Sequence, residues 1–507
     1  MGINTRRDFL KNAGAGIGLA TTASLWGGSL FASQQGKGAN KMNEEYFGFT
    51  KEDIKNLLSF GLSKGGDFSE LYFEHKTSNS VDMSEDIIKS SSESISLGVG
   101  VRVIKDKQTG YGFTNELTFD SIKNVMLTAA SIAEGNKRTM PLNMEVLNPK
   151  RQIYDLNSPY SDAKLKDKIS LIKEAYIAAQ NYDSKIVKVS VSLADSLQKI
   201  TIANSEGLLV SDVRPQMRLR VSATAEFNGK RGTGIDSEGG RIGLDFVGFK
   251  TPTEIGFNAS KEALILLEAE NPPTGEQPVV LSKDQSGVMI HEAVGHPLEA
   301  DANWKKQSIM WDKMGQMVAK PIVTIYDDAT IPNYRGSLAI DDEGIVTENV
   351  MLVEKGKLVG FLNDRLSAKI MNTKPNGHGR RESYQHMPIP RMNNTVLGVG
   401  TSDPEEIIKS VKKGFYAVSY QGGQVSNTGK FTFSCNLGYL IEDGKLTRPL
   451  KNATLIGTNV QILNEISMVG NDTGFFLGSC GKEGQNVEVT CGTPSMKIDK
   501  MTVGGAA

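Results

Sequence analysis

The feature that most constrains the fold of this chain is a series of short segments in which apolar and polar residues alternate. In residues 94–104 the apolar side chains are those of Ile95, Leu97, Val99, Val101 and Val103. A period of two predicts a β-strand with one buried face. Similar segments recur between residues 186 and 227, and residues 204–207 form a turn-like stretch between two of them. This half of the chain is therefore predicted to contain an antiparallel sheet.

Amphipathic helices are predicted beside this sheet. Apolar residues at helical spacing follow Thr50, which is a helix-capping residue type, and Asp53 stands three positions after it. Further helices are predicted at residues 119–134, 163–181 and 260–269. Strands and helices together predict an N-terminal α+β domain over residues 49–270.

The best internal boundary is the Asn-Pro-Pro-Thr-Gly sequence of residues 271–275, which breaks both periodicities. One strand and a helix with two histidines follow it, and then come short strands and glycine-rich turns. Such a run predicts an antiparallel barrel or sandwich. We therefore predict the α+β class: a helix and antiparallel-sheet domain, then a mostly antiparallel β barrel or sandwich domain at residues 276–507 that carries a distorted metal-binding helix.

The amino terminus has the layout of an export signal. Arg6 and Arg7 precede residues 13–32, which are uncharged and rich in Gly, Ala, Ser and Thr. This arrangement predicts a twin-arginine signal over residues 1–32 and a linker at 33–48. The glycine and hydroxyl content is unfavourable for a transmembrane anchor. The expected location is the periplasm, and an uncut signal would tether the protein to the membrane.

Composition limits the class of partner. The 507 residues carry a net charge of −1, and 39% of them are hydrophobic. The chain is long enough for two or three domains with ordinary cores. Because the overall charge is close to zero and dense basic runs are lacking, we predict no nucleic-acid partner and no membrane contact beyond the signal.

Two of the five histidines flank a glutamate in His291-Glu-Ala-Val-Gly-His296. Histidines four positions apart share a helix face, whereas five positions separate the rings by about 140° on an ideal helix. Gly295 and Pro297 both disfavour a regular helix here, and a single π-type turn would bring the rings toward one face. The alternative is that His291 caps a buried helix and that His296 is an ordinary polar residue.

A catalytic metal site of this type needs a third protein ligand. Glu299 and Asp301 are nearby carboxylates, and Cys435, Cys480 and Cys491 are the thiols. Glycines on both sides of Cys480 would permit a close backbone approach to another element. A Cys480–Cys491 disulfide that closes a short hairpin is the alternative.

Seven blocks of sequence, spread from about residue 65 to the carboxyl end, carry a family resemblance. They are Gly98-Val-Gly-Val-Arg102, Thr109-Gly-Tyr-Gly112, His291-Glu-Ala-Val-Gly-His-Pro-Leu-Glu-Ala-Asp301, Arg335-Gly-Ser-Leu-Ala-Ile-Asp-Asp-Glu-Gly344, Asn376-Gly-His-Gly-Arg-Arg381, Gly478-Ser-Cys-Gly-Lys-Glu-Gly-Gln485 and Thr502-Val-Gly-Gly-Ala506. In this order they resemble the TldD/PmbA (TldD/TldE) family of metallopeptidases. Because the histidine motif is present, the chain resembles the active, TldD-like member.

The resemblance implies roles for four residues. It makes His291, His296 and Cys480 the metal ligands and Glu292 the general base. It also implies one divalent ion, zinc or alternatively ferrous iron, and either a homodimer or a heterodimer with a TldE/PmbA-like sister subunit. Members of the family are best known as cytoplasmic, so the export signal is a departure that leaves the physiological substrate open.

Two charged clusters are further candidates for function. His378, Arg380 and Arg381 form a cationic loop, which we predict binds a substrate carboxylate or the oxyanion. A solvated structural turn is the alternative for this loop. The acidic run at residues 341–343 would bind a peptide's amino terminus or orient the metal ligands, with a surface turn as the alternative.

The predicted function is that of an exported metal-dependent peptidase. Glu292 would take a proton from a metal-activated water, and an extended, unstructured peptide would bind as an added strand at a sheet edge. The first alternative is a non-catalytic, metal-stabilised binding or regulatory subunit of a peptidase complex. The second is a periplasmic metal carrier.

Overall fold

The computed structural model describes residues 45–133, 144–148, 153–154, 156, 163–246, 248–426 and 429–505. The predicted signal at 1–32 lies outside the described residues, as does the predicted linker up to residue 44. Contacts divide the chain between Asp53 and Ile54 into two compact units. In the first unit, β1 (Glu45–Tyr46) pairs antiparallel with β2 (Phe49–Thr50). None of the helices in the described residues is long and apolar enough to span a membrane.

The α-helices of the described chain include the four predicted in the N-terminal half and the histidine-bearing helix, together with four short helices that were not predicted. In order they are α1 (Lys51–Gly61), α2 (Phe119–Ala130), α3 (Leu165–Gln180), α4 (Pro252–Glu268), α5 (Gly287–Ile290), α6 (Ala300–Trp304), α7 (Arg365–Ile370), α8 (Pro404–Lys409) and α9 (Asn459–Glu465). The cap of α1 is confirmed, because Thr50 Oγ1 accepts a hydrogen bond from the Asp53 N–H at 3.1 Å. Helix α4 begins about two turns before its predicted start, since Thr251 and Glu254 form a capping box there.

Long strands dominate the N-terminal half. They are β3 (Phe68–Ser84), β4 (Ile87–Lys105), β5 (Gln108–Thr114), β6 (Glu145–Leu147), β7 (Ile186–Asn204), β8 (Leu208–Phe227) and β9 (Lys230–Gly240). They form one sheet in the order β5-β4-β3-β7-β8, with β6 and β9 both paired to β8. All these pairs are antiparallel except β6–β8. The antiparallel sheet predicted for this half is confirmed.

One face of this sheet is apolar and covered by helices. Val81, Leu193 and Leu219 share a buried cluster with Ala175 of α3 and Ala259 of α4. The opposite face of the same strands is polar, because side chains alternate between faces. There Ser78 of β3 lies beside Ser196 of β7, and Ser196 lies beside Gln216 of β8.

The alternation predicted in β4 buries only part of that strand. Val99, Val101 and Val103 are fully buried, whereas Ile95 is 64% exposed and Leu97 is 38% exposed. The prediction of one continuous buried face was therefore wrong for the first half of β4.

Shorter strands build the C-terminal half. They are β10 (Gly275–Leu281), β11 (Ile325–Asp328), β12 (Asn349–Glu354), β13 (Lys357–Leu358), β14 (Gly379–Arg380), β15 (Ile389–Pro390), β16 (Asn394–Leu397), β17 (Lys413–Val425), β18 (Lys430–Glu442), β19 (Lys445–Thr458), β20 (Ile466–Val469), β21 (Gly474–Lys482), β22 (Gln485–Thr493) and β23 (Met496–Gly504). Strand β10 pairs with β17 on one side and with β23 on the other, so β10, β17, β18, β19 and β23 form a closed ring. The predicted barrel is confirmed.

A second six-stranded sheet has the order β13-β12-β11-β16-β22-β21 and therefore ends at β21. Most pairs in this half are antiparallel, while β10–β17 and β16–β22 are parallel. The histidine-bearing helix is buried between the two sheets. Its Ile290 and Val294 lie in one apolar cluster with Phe433 of β18 and Leu397 of β16. A rigid core from both sheets thus holds this helix in place.

Candidate metal centre

The histidine helix departs from regular geometry at the motif itself. Helix α5 runs into a π turn at His291–Gly295, and a 3-10 turn follows at His296–Leu298. The His296 N–H donates to the His291 carbonyl, which is the i to i+5 bond of a π turn. As a result the two imidazole centroids lie only 5.1 Å apart. The predicted distortion of this helix is confirmed.

Close packing explains why glycine stands at the end of the π turn. A Cβ atom built on Gly295 would overlap the sulfur of Met392. Pro297 occupies the first turn of the following 3-10 segment, where its missing N–H is no loss. Both residues that disfavoured a regular helix in the sequence are therefore accommodated by the local structure.

A cysteine from the far end of the chain completes a donor set. Cys480 lies on β21, and its Sγ is 3.2 Å from His296 Nε2. The ligand atoms of His291, His296 and Cys480 all lie within 4.8 Å of one another. Donor atoms of one tetrahedral zinc ion are roughly 3–4 Å apart. These three side chains therefore fit a divalent ion and leave a fourth position for water.

The structure argues against two alternatives for these residues. His291 is 4% exposed, and the thiols of Cys480 and Cys491 lie beside its ring, whereas its Nδ1 has no hydrogen-bond partner among the described residues. A merely structural buried histidine is expected to have one. The disulfide alternative is wrong, since all three cysteines are free. On the β21–β22 hairpin Cys480 lies opposite Val487 rather than opposite Cys491.

The two nearby carboxylates lie outside the donor set: Glu299 contacts His296, and Asp301 contacts Lys482. Glu299 Oε2 lies 3.0 Å from His296 Nδ1, which turns His296 Nε2 toward Cys480. The same oxygen is 3.2 Å from Lys482 Nζ, and Lys482 also reaches Asp301 at 2.7 Å. Burial alone would raise the pKa of Glu299, but the charges of Lys482 and His296 outweigh it and lower the pKa to about 2. Glu299 is therefore an ionised partner of His296, one of the candidate metal ligands.

The three donors influence one another's protonation. Burial acts to raise the pKa of Cys480, but the adjacent His291 and His296 lower it to about 4. Burial acts to lower the pKa of His296, while Glu299 and Cys480 raise it to about 9. In the absence of an ion the group thus favours a thiolate beside imidazolium. An incoming metal ion needs neutral imidazoles and would release protons.

A cavity of about 390 Å³ opens onto these groups. Glu292, His296 and Cys480 line it, together with residues 307–308, 423–426 and 479–482. Glu292 Oε2 lies 3.9 Å from His296 Nε2. Burial raises the pKa of Glu292, against the opposing effect of the two histidines. A carboxylate with a raised pKa at such a position is suited to accept a proton from water.

The predicted cationic loop lies elsewhere. His378, Arg380 and Arg381 are at most 4% exposed and do not line this cavity. His378 Nε2 is 3.1 Å from Asp327, and Arg381 is 2.6 Å from Glu70. The solvated-turn alternative is therefore wrong, and the role of these residues in substrate binding stays a prediction.

The acidic run at residues 341–343 is not a surface turn. Asp342 Oδ1 lies 2.5 Å from Arg214, and Glu343 Oε1 lies 2.7 Å from Arg102. The side chains of both pairs are at most 3% exposed. Since Arg102 and Arg214 belong to the N-terminal sheet, this run holds the C-terminal half against that sheet.

Sequence reasoning missed Arg391, which is fully buried. Its Nη2 donates to the Cys480 carbonyl at 2.5 Å, and its Nε lies 3.5 Å from Glu299. Arg391 thus links a ligand strand to the partner of a ligand histidine. No spacing or motif pointed to it, because both contacts arise only from the tertiary fold.

Comparison with known proteins places the chain in a family. Sequence models of PmbA/TldA metallopeptidases match three consecutive regions: domain 1 at residues 69–133, the central domain at 158–267 and the C-terminal domain at 274–505. The chain belongs to the PmbA/TldD metallopeptidase family. This agrees with the convergence of the histidine motif and Cys480 described above.

Relatives of this PmbA/TldD-family protein match along most of its length. A metalloprotease TldD homologue of Haemophilus influenzae is 39% identical over 464 residues, covering 90% of this chain and 96% of the relative. A zinc metalloprotease TldD homologue of Saccharolobus solfataricus is 26% identical and covers 87% of this chain and 97% of the relative. The crystal structure of TldE from Thermococcus kodakarensis shares the fold, with a TM-score of 0.70 and 20% identity over 89% of this chain and all of that one. Family membership and these names support a metal-dependent protease.

Proposed function

We propose that this PmbA/TldD-family protein is an exported, metal-dependent peptidase that hydrolyses peptide bonds of unstructured peptides. The observation that supports this most is the convergence of two imidazoles and a thiolate in one cavity, with Glu292 at its wall. Neither alternative function, the non-catalytic subunit or the metal carrier, gives Glu292 a role at that position.

The chemistry divides between the ion and the chain. A bound divalent ion supplies Lewis acidity, which makes water nucleophilic near neutral pH and polarises a peptide carbonyl. His291, His296 and Cys480 would hold it, and zinc suits this donor set, with ferrous iron as the alternative. Glu292 accepts the proton of the attacking water and delivers it to the leaving amine. Glu299 keeps the His296 ring oriented during these steps.

Strand edges at the cavity favour extended peptides. Strand β21 ends its sheet, and the cavity borders its residues 479–482. Residues 423–425 of β17 also border the cavity, beyond the part of β17 that pairs with β10. A peptide that adds as a strand is recognised mainly through its backbone. Such a site would accept many sequences and would exclude folded proteins.

The proposed cellular location rests on the amino-terminal sequence, and the proposed partner subunit rests on the fold. The twin-arginine layout of residues 1–32 supports export to the periplasm, with an uncut signal as a tether. Similarity to the TldE structure supports pairing with a TldE-like sister subunit, and a homodimer is the alternative.

The role of Glu292 is tested by Glu292→Gln. We expect cleavage of a denatured peptide to fall by about a hundred- to ten-thousandfold, since this is the contribution of a general base. Metal content, measured by elemental analysis, should stay at the wild-type level. If metal-loaded wild-type protein cleaves no denatured peptide, alone or with a TldE-like partner, the non-catalytic alternative is favoured.

The donor set is tested by Cys480→Ala, with Cys435→Ala as a matched control. Cys435 is equally buried, at 1% exposure, but it lies outside the donor group. We expect the Cys480 variant to lose most of its metal, because the remaining histidines cannot complete the site. The Cys435 variant should keep its metal. Equal metal content in the two proteins would show that Cys480 is not a ligand.

A further inference from the structure

A second cavity, of about 410 Å³, lies on the polar face of the N-terminal sheet. Its charged lining includes Lys76 of β3, Arg218 of β8, Glu488 of β22 and Arg335, and serine hydroxyls of β3, β4 and β7 complete the wall. We call this cavity the cationic cleft. Nothing in the proposed mechanism uses it.

The cationic cleft holds more positive than negative charge. Arg218 donates to Ser237 Oγ at 3.1 Å, and within the described chain it forms no ion pair with a carboxylate. Asp195 also borders the cleft, but it is already paired with Lys168 at 2.7 Å. Among the described residues that line the cleft, Glu488 is then the one carboxylate left to face its three cations.

The pKa shifts of the charged residues agree with an excess of positive charge in the cleft. Burial, together with the neighbouring charges of Arg335 and Arg220, lowers the pKa of Arg218 to about 10. Burial also lowers the pKa of Arg335. For Glu488, burial would raise the pKa, but Lys76 and Arg335 outweigh it and lower the pKa. An additional anion would therefore be stabilised in the cleft.

The cleft and the metal cavity meet at the β21–β22 hairpin, because Glu488 of β22 lines the cleft while Ser479 and Cys480 of β21 line the metal cavity. Arg335 Nε donates to the Gly478 carbonyl of β21 at 3.0 Å, and its Nη2 lies 3.5 Å from Ser479 Oγ. Ser479 and Glu488 are opposite each other in the β21–β22 pair, so their side chains share a face. The next residue, Cys480, points to the other face and toward His296. A peptide that reaches around the edge strand β21 can contact both cavities.

We propose that the cationic cleft binds a carboxylate of the peptide substrate, either the terminal α-carboxylate or an Asp or Glu side chain. This inference rests on the proposed peptidase function and adds a preference for acidic peptides to it. The planar guanidinium of arginine matches the geometry of a carboxylate. The cleft volume falls in the range of pockets that hold small organic ligands, so it accommodates peptide residues as well as a carboxylate group.

The first test compares matched peptides with and without the acidic group. One pair differs only by Glu and Gln, and the other only by a free or amidated carboxyl end. We expect wild-type protein to show a KM about ten- to a hundredfold lower for the acidic member of at least one pair, as a charge-assisted hydrogen bond provides. Arg218→Gln should abolish this preference, because KM for the acidic peptide should rise to that for the neutral one. Equal KM values within both pairs in the wild type would overturn the proposal.

A matched control is available on the neighbouring strand. Arg231 of β9 pairs with Glu226 at 3.5 Å, and its side chain is 62% exposed. Arg231→Gln removes one positive charge without touching the cleft and should retain the preference for acidic peptides. Thermal unfolding of the Arg218→Gln protein should occur at the wild-type temperature or higher, because a cation without an ion-pair partner has been removed. Loss of the preference in the Arg231 variant as well would mean that only net charge matters, and this would overturn the proposal.

A second test needs no catalysis, so it separates this inference from the peptidase function. Fluorescence anisotropy measures the binding of the same labelled peptides to the Glu292→Gln protein. Tighter binding of the acidic peptides supports the cleft, even if the wild-type protein cleaves nothing and the proposed function fails. Equal binding refutes the cleft and leaves the peptidase intact. Binding of inorganic phosphate alone, without any preference among the peptides, would assign the cleft to free anions and refute the proposal.

Discussion

At the residue scale, Glu299 does more for the metal centre than its place in the sequence indicates. One oxygen serves both His296 Nδ1 and Lys482, and the other lies 3.5 Å from Arg391. A carboxylate on the outer nitrogen fixes the tautomer of a ligand imidazole and increases its basicity. If His296 binds an ion as proposed, we expect Glu299 to increase its affinity.

Replacing Glu299 by Gln should lower metal affinity about ten- to a hundredfold, which is the usual effect of losing such a partner. Competition with a chromophoric chelator measures it. The matched control is Asp301→Asn, since Asp301 also holds Lys482 but does not contact His296. If both variants bind metal equally well, Glu299 has no special role in orienting the histidine.

Proximity in the sequence decided which site residues could be predicted from residue patterns. His291, Glu292 and His296 were found because they lie within six positions. Cys480 is 184 residues from His296. Its flanking glycines made it a candidate, and the family resemblance then implied that it is the third ligand. Glu299 was noticed as a candidate ligand, but its true partner depends on how the 3-10 turn and β21 pack. Such packing leaves no periodic signal in a sequence.

At the scale of elements, the π turn is the feature on which the site depends. Gly295 allows the turn to pack directly on Met392. Without this turn the two imidazoles would diverge, as they do on an ideal helix. The local irregularity is thus part of the metal-binding geometry.

Gly295→Ala should destabilise the protein by about 1–3 kcal/mol, since the added methyl overpacks a closed core. It should also weaken metal binding by displacing one histidine from the other. Urea unfolding and chelator competition measure the two effects. Adding Met392→Ala to this variant makes room for the methyl group and should restore part of the metal affinity. No recovery in the double variant would mean that the overlap with Met392 is not the cause.

Elements with a strong local pattern were the predictable ones. The buried part of β4 and the cap of α1 follow from alternation and from Thr50 with Asp53. Ile95 and Leu97 are exposed although they continue the same alternation. An alternating pattern predicts which face of a strand can be buried, but it does not predict how much of that face the helices cover. The barrel closes because β10 pairs with strands more than a hundred residues away. The sequence pattern therefore predicted the fold class but not these strand pairings.

At the scale of the whole molecule, two of the family blocks join the halves of the protein. Arg381, from the block at residues 376–381, pairs with Glu70 of the N-terminal sheet at 2.6 Å. Glu343, from the block at 335–344, pairs with Arg102 of that sheet at 2.7 Å. Both pairs are almost fully buried, so these blocks maintain the junction between the halves.

Arg381→Met should lower the free energy of unfolding by about 3–5 kcal/mol, because it leaves Glu70 with one fewer cation in a buried site. The comparison is Arg448→Met, which breaks an equally short pair with Glu270 that is 55% exposed on both sides. That change should cost at most about 1 kcal/mol. Chemical denaturation measures both. Equal losses would mean that burial does not decide the contribution of these pairs.

The position of Cys480 near the carboxyl end, on edge strand β21, also determines when the donor group becomes complete during synthesis. His291 and His296 are synthesised before Cys480, so a nascent chain that has not reached Cys480 lacks one of the three donors. The sulfur lies beside the imidazoles only because the fold brings strand β21 to the histidine helix. The candidate metal centre therefore stays incomplete until translation has passed Cys480 and the fold has brought this residue to the two histidines.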